Sequence, residues 1–113
     1  MYKKTLLIDL DGTLNQYGDE KYDENYIPKI KQGAKEFIEK LYLTQKFELV
    51  LFTTRNLLLS VKWLIDNNID IFFKDATNVK LPAHLCIDDR AICFNGDYLD
   101  TLRKVENFNV WWN

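Results

Sequence analysis

Thr5-Leu6-Leu7-Ile8-Asp9-Leu10-Asp11-Gly12-Thr13 is the stretch on which the reading of this chain turns. An apolar run ends in two carboxylates and a Gly-Thr pair. Such a run, without the polar alternation of a half-exposed strand, marks a strand buried on both faces, the kind found in parallel sheets. Residues i and i+2 of a strand share a face, so a strand carried to Asp11 aims both acids the same way. If the chain turns at Asp11 instead, its side chain and nearby backbone carbonyls can still converge on one point. Paired carboxylates resist ionising together, and a divalent cation relieves that. A capped turn explains the same residues without chemistry, because Asp and Gly are common turn formers. The remainder of the chain decides between these readings.

Working outward, residues 15–25 are polar and rich in Asp, Glu, Tyr and Gly, which predicts a loop or small flap. Ile27, Ile30, Ala34, Phe37, Ile38 and Leu41 then fall at helical spacing, with Pro28 near the helix start. Residues 47–52 form a second buried strand interrupted only by Glu48. Thr53-Thr54-Arg55-Asn56 links it to a helix whose Leu58, Val61, Leu64 and Ile65 share a face, closed by Asn67-Asn68. Residues 69–73 read as a weaker strand and Leu85-Cys86-Ile87 as a short one ending at Asp88-Asp89. Residues 97–106 read as a last helix, and 108–112 as an edge strand or packed tail. Strands alternating with helices imply a parallel sheet with helices on both faces, and ligands of such sheets bind beyond the carboxyl ends of the strands.

With 113 residues, 47% of them hydrophobic, the chain suffices for one domain (1–113) with a real core. Its formal charge of -2 supplies no long-range attraction to nucleic acid or anionic membrane. The apolar runs are too short to span a bilayer, and the first ends at an aspartate, as a strand rather than a signal peptide. The two cysteines form neither a zinc pattern nor a disulfide framework, so a cytoplasmic location is expected.

Four features recur in order: Asp9-Leu10-Asp11-Gly12-Thr13, Thr53 after an apolar run, Lys80, and Asp88-Asp89 after Leu85-Cys86-Ile87. Together they resemble the four motifs of the haloacid dehalogenase superfamily of phosphatases, over nearly the whole chain. The resemblance implies a three-layer Rossmann-like α/β fold with a mostly parallel central sheet. It also implies a catalytic set of Asp9, Asp11, Thr53 and Lys80, with Asp9 as nucleophile and Asp11 as general acid and then base. Thr53 would hold a phosphoryl oxygen with its hydroxyl, and Lys80 would balance the charge of Asp9 and the phosphate. Magnesium would be held by Asp9, the Asp11 backbone carbonyl, Asp88 and Asp89.

Each role has a plainer competitor. Thr53 could cap the next helix, a part for which Thr54 and Asn56 compete. Lys74 competes with Lys80, although Lys80-Leu81-Pro82-Ala83-His84 resembles the Lys-x-x-Ala lead-in of small family members. Thr54 and Arg55 are further candidates to bind substrate, Arg55 either facing it or standing behind the residues that do. Arg90 extends the fourth motif to Asp88-Asp89-Arg90, as in small phage and bacterial members and the phosphatase domain of polynucleotide kinases, and is expected to brace the acids. His84, the only histidine, is expected to be structural or on the surface. Phe108, Trp111 and Trp112 are expected to pack.

Neither the stretch after the first motif nor that between the second and third has room for a cap domain. The expectation is a capless, magnesium-dependent phosphomonoesterase acting on a phosphorylated substrate, macromolecular or nucleotide, with no membrane association. Closure of the open site by a second copy in a homo-oligomer is a further expectation. The alternatives are a nucleotide or nucleic-acid 3′-end phosphatase, and a non-catalytic magnesium- or phosphate-binding module.

Overall fold

The computed structural model describes residues 2–18 and 21–111. The strands are β1 (Lys4–Asp9), β2 (Phe47–Phe52), β3 (Phe73–Thr77) and β4 (Leu85–Ile87); the helices are α1 (Ala34–Leu43), α2 (Leu57–Asp66) and α3 (Tyr98–Glu106). The four strands form one sheet in the order β3-β2-β1-β4, and every pairing is parallel. This is a small Rossmann-like α/β fold of the three-layer kind expected from the alternation of elements.

The core explains the arrangement. Leu6 and Ile8 of β1 and Leu49 and Leu51 of β2 alternate onto one face, where they meet Ala34 and Ile38 of α1 and Trp63 and Leu64 of α2. Leu7 and Val50 point to the opposite face and are also buried, which is why neither strand shows polar alternation. From β1 the chain steps outward through β2 to β3, then returns to place β4 on the other side of β1. The switch point lies between β1 and β4, at the ends of the strands that carry Asp9 and Asp88.

Several boundaries differ from the sequence reading. The first helix starts at Ala34, not near Pro28, because Gly33 sits at φ 90° and interrupts it. The segment before it is extended and tied to the first turn: Asn15 bridges Ile30, Gln16 N–H donates to the Lys29 carbonyl and Lys31 N–H to that of Leu14. Ile27 and Pro28 are buried there, and the Trp63 indole donates to the Pro28 carbonyl at 3.1 Å. Helix α2 buries Ser60, Trp63 and Leu64, whereas Leu58, Val61 and Ile65 of the predicted face are exposed. Residues 70–72 form a 3₁₀ turn, so the third strand begins only at Phe73. No strand forms over 108–111, and Trp112 lies outside the described residues. Cys86 and Cys93 are free and exposed. Among the described residues no helix is long and apolar enough to cross a membrane.

Candidate functional site

Strand β1 ends at Asp9 and the chain turns over residues 11–14. Asp11 therefore leaves the strand, and the turn reading of the motif holds over the extended one. The Leu10 carbonyl gathers the N–H groups of Thr13, Leu14 and Asn15, while Gly12 takes φ 82°. A side chain at Gly12 would overlap the carboxylate of Asp89, so glycine is required for the turn to pass beneath the acids. Asn15 is fully buried at the centre of this turn. Its carbonyl oxygen accepts from Gly12 N–H and Tyr17 N–H, and its amide donates to Asp11 Oδ1 at 3.0 Å. Sequence reasoning passed over Asn15; the available signal was an amide side chain four residues after an aspartate in a turn.

Register brings the acids together. Asp9 pairs with Phe52 of β2, and Ile8 with Ile87 of β4, so Asp88 continues level with Asp9. Carboxylate oxygens of Asp9, Asp88 and Asp89 lie within 4.8 Å of one another. Burial, the charge of Asp88 and a side-chain hydrogen bond to Asp89 push Asp9 up to about 8, against a smaller opposing effect of its hydrogen bond from Thr13. Thr13 Oγ1 donates to Asp9 Oδ2 at 3.2 Å, and the backbone N–H of Arg90 braces Asp88 at 2.9 Å. Three hard oxygen donors, of which burial and neighbouring charge make Asp9 reluctant to ionise, are of the kind that could hold a divalent cation such as magnesium. The Asp11 carboxylate is not part of this group.

Asp11 has a partner of its own. Its Oδ2 accepts from Arg55 Nε at 2.7 Å, and Arg55 is only 2% exposed. The same guanidinium donates through Nη1 to the Asp23 carbonyl at 2.9 Å and lies over the Tyr22 ring at 4.6 Å. Arg55 thus stands behind the site, joining Asp11 to the flap, and does not line the cavity. That cavity, of about 250 Å³, is lined by the four aspartates and by Phe52, Thr53 and Thr54. Tyr17, Tyr22 and Arg90 line it as well.

Thr53 occupies the carboxyl end of β2. Its N–H donates to the Thr77 carbonyl, and its Oγ1 accepts from Arg55 N–H at 3.1 Å, which leaves the hydroxyl hydrogen for another acceptor. Asn56, not Thr53, caps α2, its side chain accepting from Leu59 N–H. Asn78 holds this corner by donating to the carbonyls of Thr53 and Arg55 at 2.6 and 2.9 Å.

The two candidate lysines separate clearly. Lys74 is the second residue of β3, away from the carboxyl ends of the strands, and pairs with Glu48 at 3.0 Å. Lys80 follows the carboxyl end of β3 but is exposed and is not among the residues that line the cavity. His84 is exposed at the entry to β4, where its N–H donates to the Thr5 carbonyl. Trp111 packs beside the acids: its indole donates to the Gly12 carbonyl at 2.6 Å, and Lys31 lies over its ring at 4.6 Å.

No protein-family model matches the chain, and no curated protein matches it either. Among solved structures, it is similar to a conserved protein from Bacteroides thetaiotaomicron, with 24% identity and a TM-score of 0.61. The match covers 93% of this chain and 91% of that one. At that identity the similarity speaks for the fold.

Proposed function

We propose that the chain is a magnesium-dependent phosphomonoester hydrolase of the haloacid dehalogenase type, working through an aspartyl-phosphate on Asp9. The observation that carries this reading is the convergence of Asp9, the Asp88-Asp89 pair and Thr53 on one cavity at the switch point of the sheet, with Asp11 also on its wall.

In the proposed reaction an Asp9 oxygen attacks phosphorus in line, the ester P–O bond breaks, and Asp11 gives a proton to the departing oxygen. Water then takes the place of the leaving group. Asp11 removes its proton as the oxygen attacks phosphorus, the bond to Asp9 breaks, and inorganic phosphate leaves. The Thr53 hydroxyl donates to a phosphoryl oxygen throughout. Each Asp11 oxygen accepts one hydrogen bond, from Asn15 and from Arg55, and keeps a second lone pair for the proton it exchanges with the substrate. Magnesium, held by Asp9, Asp88, Asp89 and the Asp11 carbonyl, would supply charge neutralisation at the phosphoryl group. The proposed setting is the cytoplasm, where exposed thiols such as Cys86 and Cys93 remain reduced.

Turnover of an aryl phosphate with magnesium tests the reading. The wild-type chain is expected to be active, chelation to abolish activity, and Asp9→Asn to lower kcat by at least about a thousandfold. Activity that persists unchanged in Asp9→Asn rules the mechanism out.

A further inference from the structure

The cavity that holds the acids is also lined by two aromatic rings. Tyr17 and Tyr22 stand edge to face, with ring centroids 6.3 Å apart and planes at 73°, and both line the cavity. Tyr22 belongs to a flap, yet it rests on the buried guanidinium of Arg55 at 4.6 Å. Arg55 is fixed in turn by Asp11 and by the Asp23 carbonyl. The position of the Tyr22 ring is therefore set by the same cation that orients the acid. At the other margin, the Arg90 guanidinium lies 6.0 Å from the Tyr17 ring.

A phosphomonoester with its phosphorus against Asp9 and Thr53 would have these rings within the same cavity to receive its leaving group. A small acyclic polyol such as glycerol has little flat surface with which to cover such rings. A planar ring would stack on the tyrosines and interact with the Arg90 cation.

We infer that the site selects phosphomonoesters whose leaving group carries a planar aromatic ring, with Tyr22 and Tyr17 as the stacking wall. The ring is that of a nucleobase or of a simple aryl ester. This inference rests on the phosphatase reading and deepens it by naming the substrate class. Stacking of a base on one aromatic side chain is worth about tenfold to a hundredfold in affinity, which sets the expected discrimination.

The experiment has a binding arm and a turnover arm, each run with phenyl phosphate, uridine monophosphate and glycerol phosphate. Affinities are measured by calorimetry with calcium present, and kcat/KM with magnesium. The wild-type chain is expected to prefer at least one aromatic ester to glycerol phosphate by about tenfold or more, and the better of the two names the source of the ring. In Tyr22→Ala that ratio is expected to fall to within about threefold, and in Tyr22→Phe to stay near the wild-type value. Equal treatment of all three esters by the wild-type chain overturns the inference and leaves the phosphatase reading intact. A ratio that survives both Tyr22→Ala and Tyr17→Ala overturns it as well. Preferential binding of the aromatic esters without turnover of any ester has the opposite meaning: the aromatic wall stands and the hydrolase reading fails.

Discussion

The two sides of the switch point are built differently. Every described residue that is buried and apolar lies between Leu6 and Ile69, on or around β1, β2, α1 and α2. Beyond β3 the chain is thin. Strand β4 has three residues and pairs only with β1, and α3 has no buried residue, its Leu99, Leu102 and Val105 being exposed. The accessible surface of 7926 Å² reflects this; a folded chain of this mass ordinarily exposes about 6,500 Å². Asp88 and Asp89 nevertheless come from the thin side, and Asp9, Asp11 and Thr53 from the packed one. Stability and site geometry thus have separate sources: the core holds one half of the acidic group, and a short edge strand delivers the other.

The largest effects should fall in the core. Ile8→Ala or Leu51→Ala is expected to cost about 2–5 kcal/mol, because both side chains are fully enclosed. Leu102→Ala is expected to stay within about 0.5 kcal/mol. Urea denaturation of the three variants checks this, and a comparable loss at Leu102 would mean that α3 is packed in solution and the contrast between the halves is false.

A second test addresses the join between the halves through its charge. In the metal-free protein Asp9 is pushed up from 3.8 to about 8 by burial and by its two acidic neighbours. Between those values the native state binds a proton that the unfolded state has released. Stability should therefore be fully present below pH 3.8 as far as this group is concerned, fall as pH rises, and level off above about 8. One proton limits the slope to about 1.4 kcal/mol per pH unit. Asp9→Asn should flatten this part of the profile, and magnesium should stabilise the wild-type chain most at the alkaline end. A profile that Asp9→Asn leaves unaltered would separate Asp9 electrostatically from Asp88 and Asp89.

The smallest effect concerns the tether at the chain's far end. Trp111→Phe keeps a ring beside Lys31 but removes the donor to the Gly12 carbonyl. A loss of about 0.5–1.5 kcal/mol is expected, measured by thermal or urea unfolding. No change would leave β4 as the main link between the thin side and the core.

Much of the arrangement was legible because it depends on short-range pattern. The apolar runs ending at Asp9, Phe52 and Ile87 identified strands and placed the acids and Thr53 at their carboxyl ends. The boundaries misread were those where a distant contact overrides periodicity. Ile27 and Pro28 look like a helix start, but they are held extended by the first turn and by Trp63. Leu58, Val61 and Ile65 share a helical face, yet the sheet lies on the Ser60, Trp63 and Leu64 side. Lys74 and Lys80 could not be told apart by spacing; the direction of β3 separates them, since it puts Lys74 at the end away from the acids.

By itself, the sequence determined the parallel α/β architecture and the ordered placement of Asp9, Asp11, Thr53 and Asp88-Asp89. Hydrophobic runs and turn residues act through neighbours a few positions away, and they carry that information without tertiary help. Only the tertiary structure decided the partners of those residues. The grouping of Asp9 with Asp88 depends on β4 pairing in register with β1. The seat of Asp11 on Arg55, and of Tyr22 on the same guanidinium, joins residues 44 and 33 positions apart. Contacts of that span arise when the chain reverses across the sheet, and no local spacing encodes them.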